Sequence, residues 1–110
     1  MQYKQIDPSL AISGQINAAD LGQIASAGFK AVICNRPDNE GWGQPSFADI
    51  EAEAKKAGLS ARYIPVTPGK TDPAKAAQEF RAAMAELPKP VLAYCRSGAR
   101  STMLWQMSQS

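Results

Sequence analysis

Two short runs, Ala31-Val-Ile-Cys34 and Val91-Leu-Ala-Tyr94, are apolar at every position. A strand with one wet face alternates apolar and polar residues. An unbroken apolar run instead predicts burial on both faces, as in a parallel sheet. The first run lies inside Phe29–Asn35, the clearest strand. Leu10–Ser13 reads as a weaker strand, and Ala61–Val66 as another, with Pro65 near the end of its pairing.

Helical stretches alternate with these strands. Asn17, with Asp20 three residues on, caps a helix whose apolar stripe is Leu21, Ile24 and Ala25, and Gly28 closes it. Ser46 and Asp49 start a second helix that carries Phe47, Ile50 and Ala54 on one face and stops at Gly58. Asp72-Pro73 opens a third, with Ala76, Phe80, Ala83, Met84 and Leu87 in helical register before Pro88 and Pro90. A last helix runs from Ala99 to about Ser108, with Met103, Leu104 and Met107 facing inward. The expected fold is one α/β domain spanning residues 1–110. It has a central, mainly parallel four-stranded sheet with helices on both faces, and ligands beyond the carboxyl ends of the strands. Those ends carry Arg36-Pro-Asp38, Thr67 to Lys70 and Cys95 to Ser101.

Composition narrows the chemistry. The 110 residues include 2 Cys and no His. Imidazole acid–base catalysis, Ser-His-Asp and Cys-His nucleophiles and His-ligated zinc are excluded, and two thiols cannot build a four-thiolate metal site. No metal or cofactor is expected. A net charge of +2 gives no case for a nucleic-acid partner. The N-terminus has no secretory pattern and no stretch reaches membrane-span length, so the expected address is the cytoplasm, with both cysteines as thiols.

The segment Tyr94-Cys-Arg-Ser-Gly-Ala-Arg-Ser101 carries the chemistry. A strand delivers Cys95 to a tight loop, Gly98 permits unusual dihedrals, and a helix begins at once. Successive backbone N–H groups then converge as an anion cradle. A thiolate there is favoured by those dipoles and by Arg96 and Arg100, which makes a nucleophile without histidine. Cys95 and Arg100 are the expected catalytic pair, with Arg96, Ser97, Gly98, Ala99 and Ser101 as anion-binding positions. Four residues separate Cys95 from Arg100. The cysteine-dependent phosphatases use five, and the shorter loop resembles the rhodanese type, in which the cysteine carries sulfur as a persulfide. The Gly-His-Ile segment of a typical rhodanese has no counterpart here.

Nearly the whole chain resembles the phosphatase-like domain of the beta-lactamase-hydrolase-like sulfurtransferases. The matching stretches are ISGQI at 12–16, GFKAVICNRPDNE at 28–40, QPSF at 44–47, YIPVTPGK at 63–70 and AYCRSGARS at 93–101. The resemblance implies a protein-tyrosine-phosphatase-type scaffold with a rhodanese-length loop. It also implies a persulfide dioxygenase partner in some relatives, and a chain that stops short of the family's usual end.

Other residues carry two readings. Cys34 reads as a core thiol, with a redox partner for Cys95 as the alternative. Arg36 and Asp38 read either as an ion pair bracing their loop or, for Asp38, as a substrate-facing group. Asp72 reads as a helix cap before it reads as a general acid. Trp42 and Trp105 read as packing or rim residues, and Lys70 as a solvated lysine. The expected activity is thiol sulfurtransfer from a small anionic sulfur donor, through a Cys95 persulfide, to a thiol acceptor. The alternatives are a cysteine-dependent phosphatase and a non-catalytic anion-binding or interaction module.

Overall fold

The two apolar runs form the middle of the sheet. A computed structural model describes residues 1–109. Its strands are β1 (Lys4–Asp7), β2 (Leu10–Ser13), β3 (Ala31–Cys34), β4 (Ser60–Tyr63) and β5 (Val91–Tyr94). The helices are α1 (Leu21–Ser26), α2 (Phe47–Lys56), α3 (Pro73–Glu86) and α4 (Ala99–Ser108), with a 3-10 turn at Ala18–Asp20 ahead of α1. The strand order is β1-β2-β5-β3-β4. The pairs β2–β5, β5–β3 and β3–β4 are parallel, and β1 lies antiparallel on β2.

The sheet therefore has five strands rather than the expected four. The extra strand is Lys4-Gln-Ile-Asp7, in which only Ile6 is half-buried and the rest is exposed. An edge strand exposed on this scale needs no apolar pattern, because its hairpin holds it to β2. The Asp7 carboxylate accepts from the Ser9 N–H at 2.7 Å and shapes the turn.

Both faces of the central strands are covered, as the unbroken apolar runs require. Ala31 and Ile33 share a core with Phe80 and Ala83 of α3 and Leu104 of α4. Val32 and Cys34 face the opposite way, into a core with Leu21 and Ile24 of α1 and Ile50 and Ala54 of α2. Burying a side chain such as Phe80 contributes roughly 1.5–3 kcal/mol, so truncations here would be costly. Met103, Trp105 and Met107 are partly buried against the first core.

Local signals place the helices. Ser46 Oγ accepts from the Asp49 N–H at 3.1 Å, and the Asp20 carboxylate accepts from the Asn17 N–H at 2.8 Å. β4 ends at Tyr63, earlier than the expected Val66. The chain still bonds to the β3 side, Ile64 N–H to Cys34 O at 2.9 Å and Val66 N–H to Asn35 O at 3.0 Å. Pro65 between them has no N–H to give. Among the described residues, no helix is long and apolar enough to cross a membrane, and no cluster of three His, Cys, Asp or Glu side chains could hold a metal ion.

Candidate active site

β5 lies between β2 and β3, so its carboxyl end opens between Ser13-Gly14 on one side and Asn35-Arg36 on the other. Cys95 follows β5 directly and is fully buried. Gly98 takes φ +96° and starts α4. A Cβ at Gly98 would stand 3.3 Å from Ile12 Cγ2 and 3.4 Å from the Ser13 carbonyl oxygen, so the loop lies against β2 as well as turning tightly. On the other flank, a Cβ at Gly14 would come within 3.0 Å of the Arg96 carbonyl oxygen.

The turn brings the backbone onto the sulfur. The Gly98 N–H donates to Cys95 Sγ at 3.0 Å. Burial pushes the Cys95 pKa up, but backbone N–H groups of Ser101, Arg100, Ser97 and Gly98 together outweigh it and hold the thiol below its ordinary range. The donors gathered at the sulfur belong mainly to the peptide chain. The Arg96 side chain is exposed and takes no hydrogen-bond partner among the described residues, while its carbonyl accepts from the Gln15 N–H at 3.2 Å. Ser97 Oγ accepts from the Ala99 N–H at 3.3 Å. The Ser101 hydroxyl donates to Asn35 Oδ1 at 2.8 Å. Both serines therefore meet the sulfur through their amides. Ala99, the first residue of α4, is exposed.

Arg100 is reached from a distant loop. Its Nη1 and Nη2 donate to Glu40 Oε2 and Oε1 at 2.6 and 2.7 Å, and Nη1 also donates to the Val66 carbonyl at 2.9 Å. Hydrogen bonding to Arg100, against some opposing burial and with help from Arg36, holds the Glu40 pKa down at about 2. Glu40 in turn raises the Arg100 pKa.

Of the two readings of Arg36 and Asp38, the ion pair between them does not form. Arg36 Nε donates to Glu40 at 3.0 Å, while Asp38 Oδ1 accepts from the Phe47 N–H at 2.8 Å and so caps α2. The Asp38 N–H donates to Tyr63 Oη at 2.9 Å. A helix start with a free N–H outbids a flexible guanidinium for a short carboxylate close in sequence. Asp72 is a cap: its carboxylate accepts from the Ala74 N–H at 3.0 Å. Cys34 lies in the second core, its thiol donating to the Arg36 carbonyl at 3.3 Å, and burial raises its pKa. Lys70 is exposed, and Trp42 stands fully in solvent, so Trp42 is not a packing residue.

Three residues that matter at the site escaped the sequence reading. Glu40 lies 60 positions from its partner Arg100. Asn35 anchors the first turn of α4 through Ser101 and donates from Nδ2 to the Ile64 carbonyl at 2.8 Å. Gln44 closes the loop that carries Glu40: its Oε1 accepts from the Glu40 and Gly41 N–H groups at 3.1 Å. The signals were the stretches NRPDNE and QPSF, whose polar residues fit no helix or strand period. An open groove of about 700 Å³ borders Ser97, Gly98 and Thr102 but reaches neither Cys95 nor Arg100.

The geometry agrees with kinship to known proteins. Residues 2–110 match the family model described as "Beta-lactamase hydrolase-like protein, phosphatase-like domain". A beta-lactamase hydrolase-like protein of Xylella fastidiosa is 36% identical over 109 residues, covering 99% of this chain and 25% of its own length. One from Agrobacterium fabrum is 34% identical over 110 residues, with 100% and 25% coverage. The chain thus spans about a quarter of the length of these curated relatives. Among solved structures, a protein from Neisseria meningitidis provisionally named a phosphatase is 41% identical with a TM-score of 0.84, over 93% of this chain and 72% of that one. A provisionally named phosphatase from Shewanella putrefaciens is 27% identical with a TM-score of 0.80, over 97% and 69%. Tk-PTP in a mutant form, at 19% identity and a TM-score of 0.69, shares the fold. With a phosphatase-type sheet, a buried cysteine cradled by loop amides and a match over nearly its whole length, the chain belongs to the family of phosphatase-like domains of beta-lactamase hydrolase-like proteins.

Proposed function

We propose that the domain is a thiol sulfurtransferase working through a persulfide on Cys95. The observation that carries this reading is the short loop, in which the four residues between Cys95 and Arg100 fold so that backbone N–H groups converge on the sulfur itself. A loop one residue shorter than that of the cysteine-dependent phosphatases encloses less space beyond the sulfur, which suits an intermediate with one added sulfur. A phosphoryl group asks for donors spread around three oxygens.

The chemistry needs no further group. The Cys95 thiolate attacks the outer sulfur of thiosulfate; the new S–S bond forms, the old one breaks, and sulfite leaves with the bonding electron pair. With glutathione persulfide the leaving group is glutathione. A thiolate acceptor or cyanide then attacks the terminal sulfur and returns Cys95 as thiolate. Neither step needs a proton delivered to a poor leaving group, which matches a site where Asp72 is a helix cap and Glu40 stays ionised. Partners of this reading are a small anionic sulfur donor, a thiol acceptor and a persulfide dioxygenase.

Phosphate-ester hydrolysis through a phosphocysteine is the second reading. Kinship backs it better than it backs sulfur transfer, because the family and its solved relatives carry phosphatase names. Both readings are tested together by offering thiosulfate, glutathione persulfide and an aryl phosphate to the wild type and to Cys95→Ser. Sulfur transfer expects the mass of one sulfur atom on Cys95 and thiocyanate formation with cyanide. A folded protein that takes no sulfur but hydrolyses the aryl phosphate, with loss in Cys95→Ser, would reverse the order.

A further inference from the structure

Glu40 sits between two guanidinium groups. Its Oε1 accepts from Arg36 Nε at 3.0 Å and from Arg100 Nη2 at 2.7 Å, and its Oε2 accepts from Arg100 Nη1 at 2.6 Å. With the Val66 carbonyl also on Nη1, both hydrogens of Nη1 and one of Nη2 are used. The Nε–H and the remaining Nη2–H lie along one edge of the planar group that neither Glu40 nor Val66 uses, and the guanidinium also interacts with the Cys95 sulfur. A guanidinium offers two separate two-donor edges to planar or tetrahedral anions. Glu40 takes the end-on one and leaves the side-on one open.

Glu40 is itself held from behind. Arg36 is buried, and its Nη1 donates to Gln15 Oε1 at 3.0 Å. The Gln15 N–H donates to the carbonyl of Arg96 in the reactive loop. Gln44 grips the backbone of Glu40 and Gly41, and its Nε2 donates to the Pro37 carbonyl at 2.9 Å. The chain of contacts starts at the loop, passes through Gln15, Arg36 and Glu40, and returns to the loop at Arg100.

We propose that Arg36 and Glu40 are positioning residues. Glu40 locks the Arg100 guanidinium so that its free Nε–Nη2 edge receives the anionic group of the ligand beside Cys95, and Arg36 fixes Glu40 for that task. The carboxylate and the ligand occupy different edges of Arg100 and are bound together. The proposal rests on the reading of Cys95 and Arg100 as the reactive pair, and it holds for a sulfur or a phosphoryl ligand alike.

The test uses inorganic sulfate as the probe. Its dissociation constant is measured by titration calorimetry for the wild type, Glu40→Gln, Glu40→Ala and Arg36→Met. Cys95 alkylation by iodoacetamide is followed across pH in parallel. Glu40→Ala is expected to weaken sulfate roughly tenfold. Glu40→Gln should weaken it less, because its amide oxygen still accepts from Arg100, and Arg36→Met should weaken it although Arg36 touches no ligand. The alkylation profile without sulfate should move less than in Arg100→Ala, because the loop amides supply much of the thiolate's stabilisation and Arg100 keeps its charge. Should Glu40→Ala fail to fold, Glu40→Gln and Arg36→Met decide the matter. Unchanged sulfate affinity in the folded variants would overturn the proposal. So would tighter binding, which would make Glu40 a plug that competes for Arg100. A wild-type Cys95 that reacts no faster than an unfolded thiol would sink the nucleophile reading alone, leaving the sulfate constants to judge Glu40.

Discussion

The Ser101 hydroxyl donates to the side-chain oxygen of Asn35 at 2.8 Å across 66 residues of sequence, and both residues are fully out of solvent. The bond ties the first turn of α4 to the end of β3. It fixes the orientation of a helix whose leading amides face Cys95.

Ser101→Ala removes the donor and leaves Asn35 Oδ1 buried without it. An unsatisfied buried acceptor costs about 1–3 kcal/mol. Urea unfolding should show a loss in that range with an unchanged m-value. Cys95 alkylation should remain, because the Ser101 amide is untouched.

Gly98→Ala meets two obstacles. The positive φ is unfavourable for any residue with a Cβ, by about 1–2 kcal/mol. The added methyl also presses on Ile12 and the Ser13 carbonyl. We expect lower thermal stability and a large drop in Cys95 alkylation at neutral pH, since any relief moves the Gly98 amide off the sulfur. Wild-type alkylation in this variant would show that the Gly98 amide is dispensable.

The two thiols should separate cleanly. Cys95 has its pKa lowered and Cys34 has its pKa raised. One thiol should react in the native protein at neutral pH, and both in denaturant. For Cys95 the folded pKa lies below the unfolded one. Its contribution to stability is therefore complete above the unfolded pKa and is lost as pH falls through the folded value. Arg100→Ala should move the alkylation profile to higher pH but not to that of an unfolded chain, because the loop amides survive the substitution. A profile identical to wild type would remove Arg100 from the thiolate's surroundings.

Glu40 gives the pH dependence a second part. Its pKa falls from an ordinary 4.5 to about 2. A depressed carboxylate stabilises the fold above its unfolded pKa, and that stability drains away as pH falls towards the folded value. The stability gap between the wild type and Glu40→Gln should be constant above pH about 5 and should shrink between about 4.5 and 2. A gap that does not change with pH would mean the ion pair adds nothing as a charge.

What could be read from the sequence followed the range of the interactions. The runs at 31–34 and 91–94 declared themselves because a strand buried on both faces has no polar residues to hide behind. Asp72 was legible as a cap because its partner amide is two residues away. β1 was not legible, since at the sheet edge Lys4, Gln5 and Asp7 remain in water. Glu40 was not legible either. Nothing near residue 40 signals an arginine at residue 100, and proximity in sequence favoured Asp38 as the partner of Arg36 until the start of α2 claimed it.

Placing β5 in the middle of the sheet ties the acidity of Cys95 to the rest of the fold. The loop beyond it is bounded by the end of β2, the end of β3 and the turn that carries Glu40, so segments far apart in sequence hold the loop in the shape that aims its own amides at the sulfur. An incompletely folded chain carries a thiol of ordinary acidity. The lowered pKa of Cys95 is therefore a property of the folded chain and not of the loop sequence alone, so the acidity of this one thiol reports on whether the whole sheet is assembled.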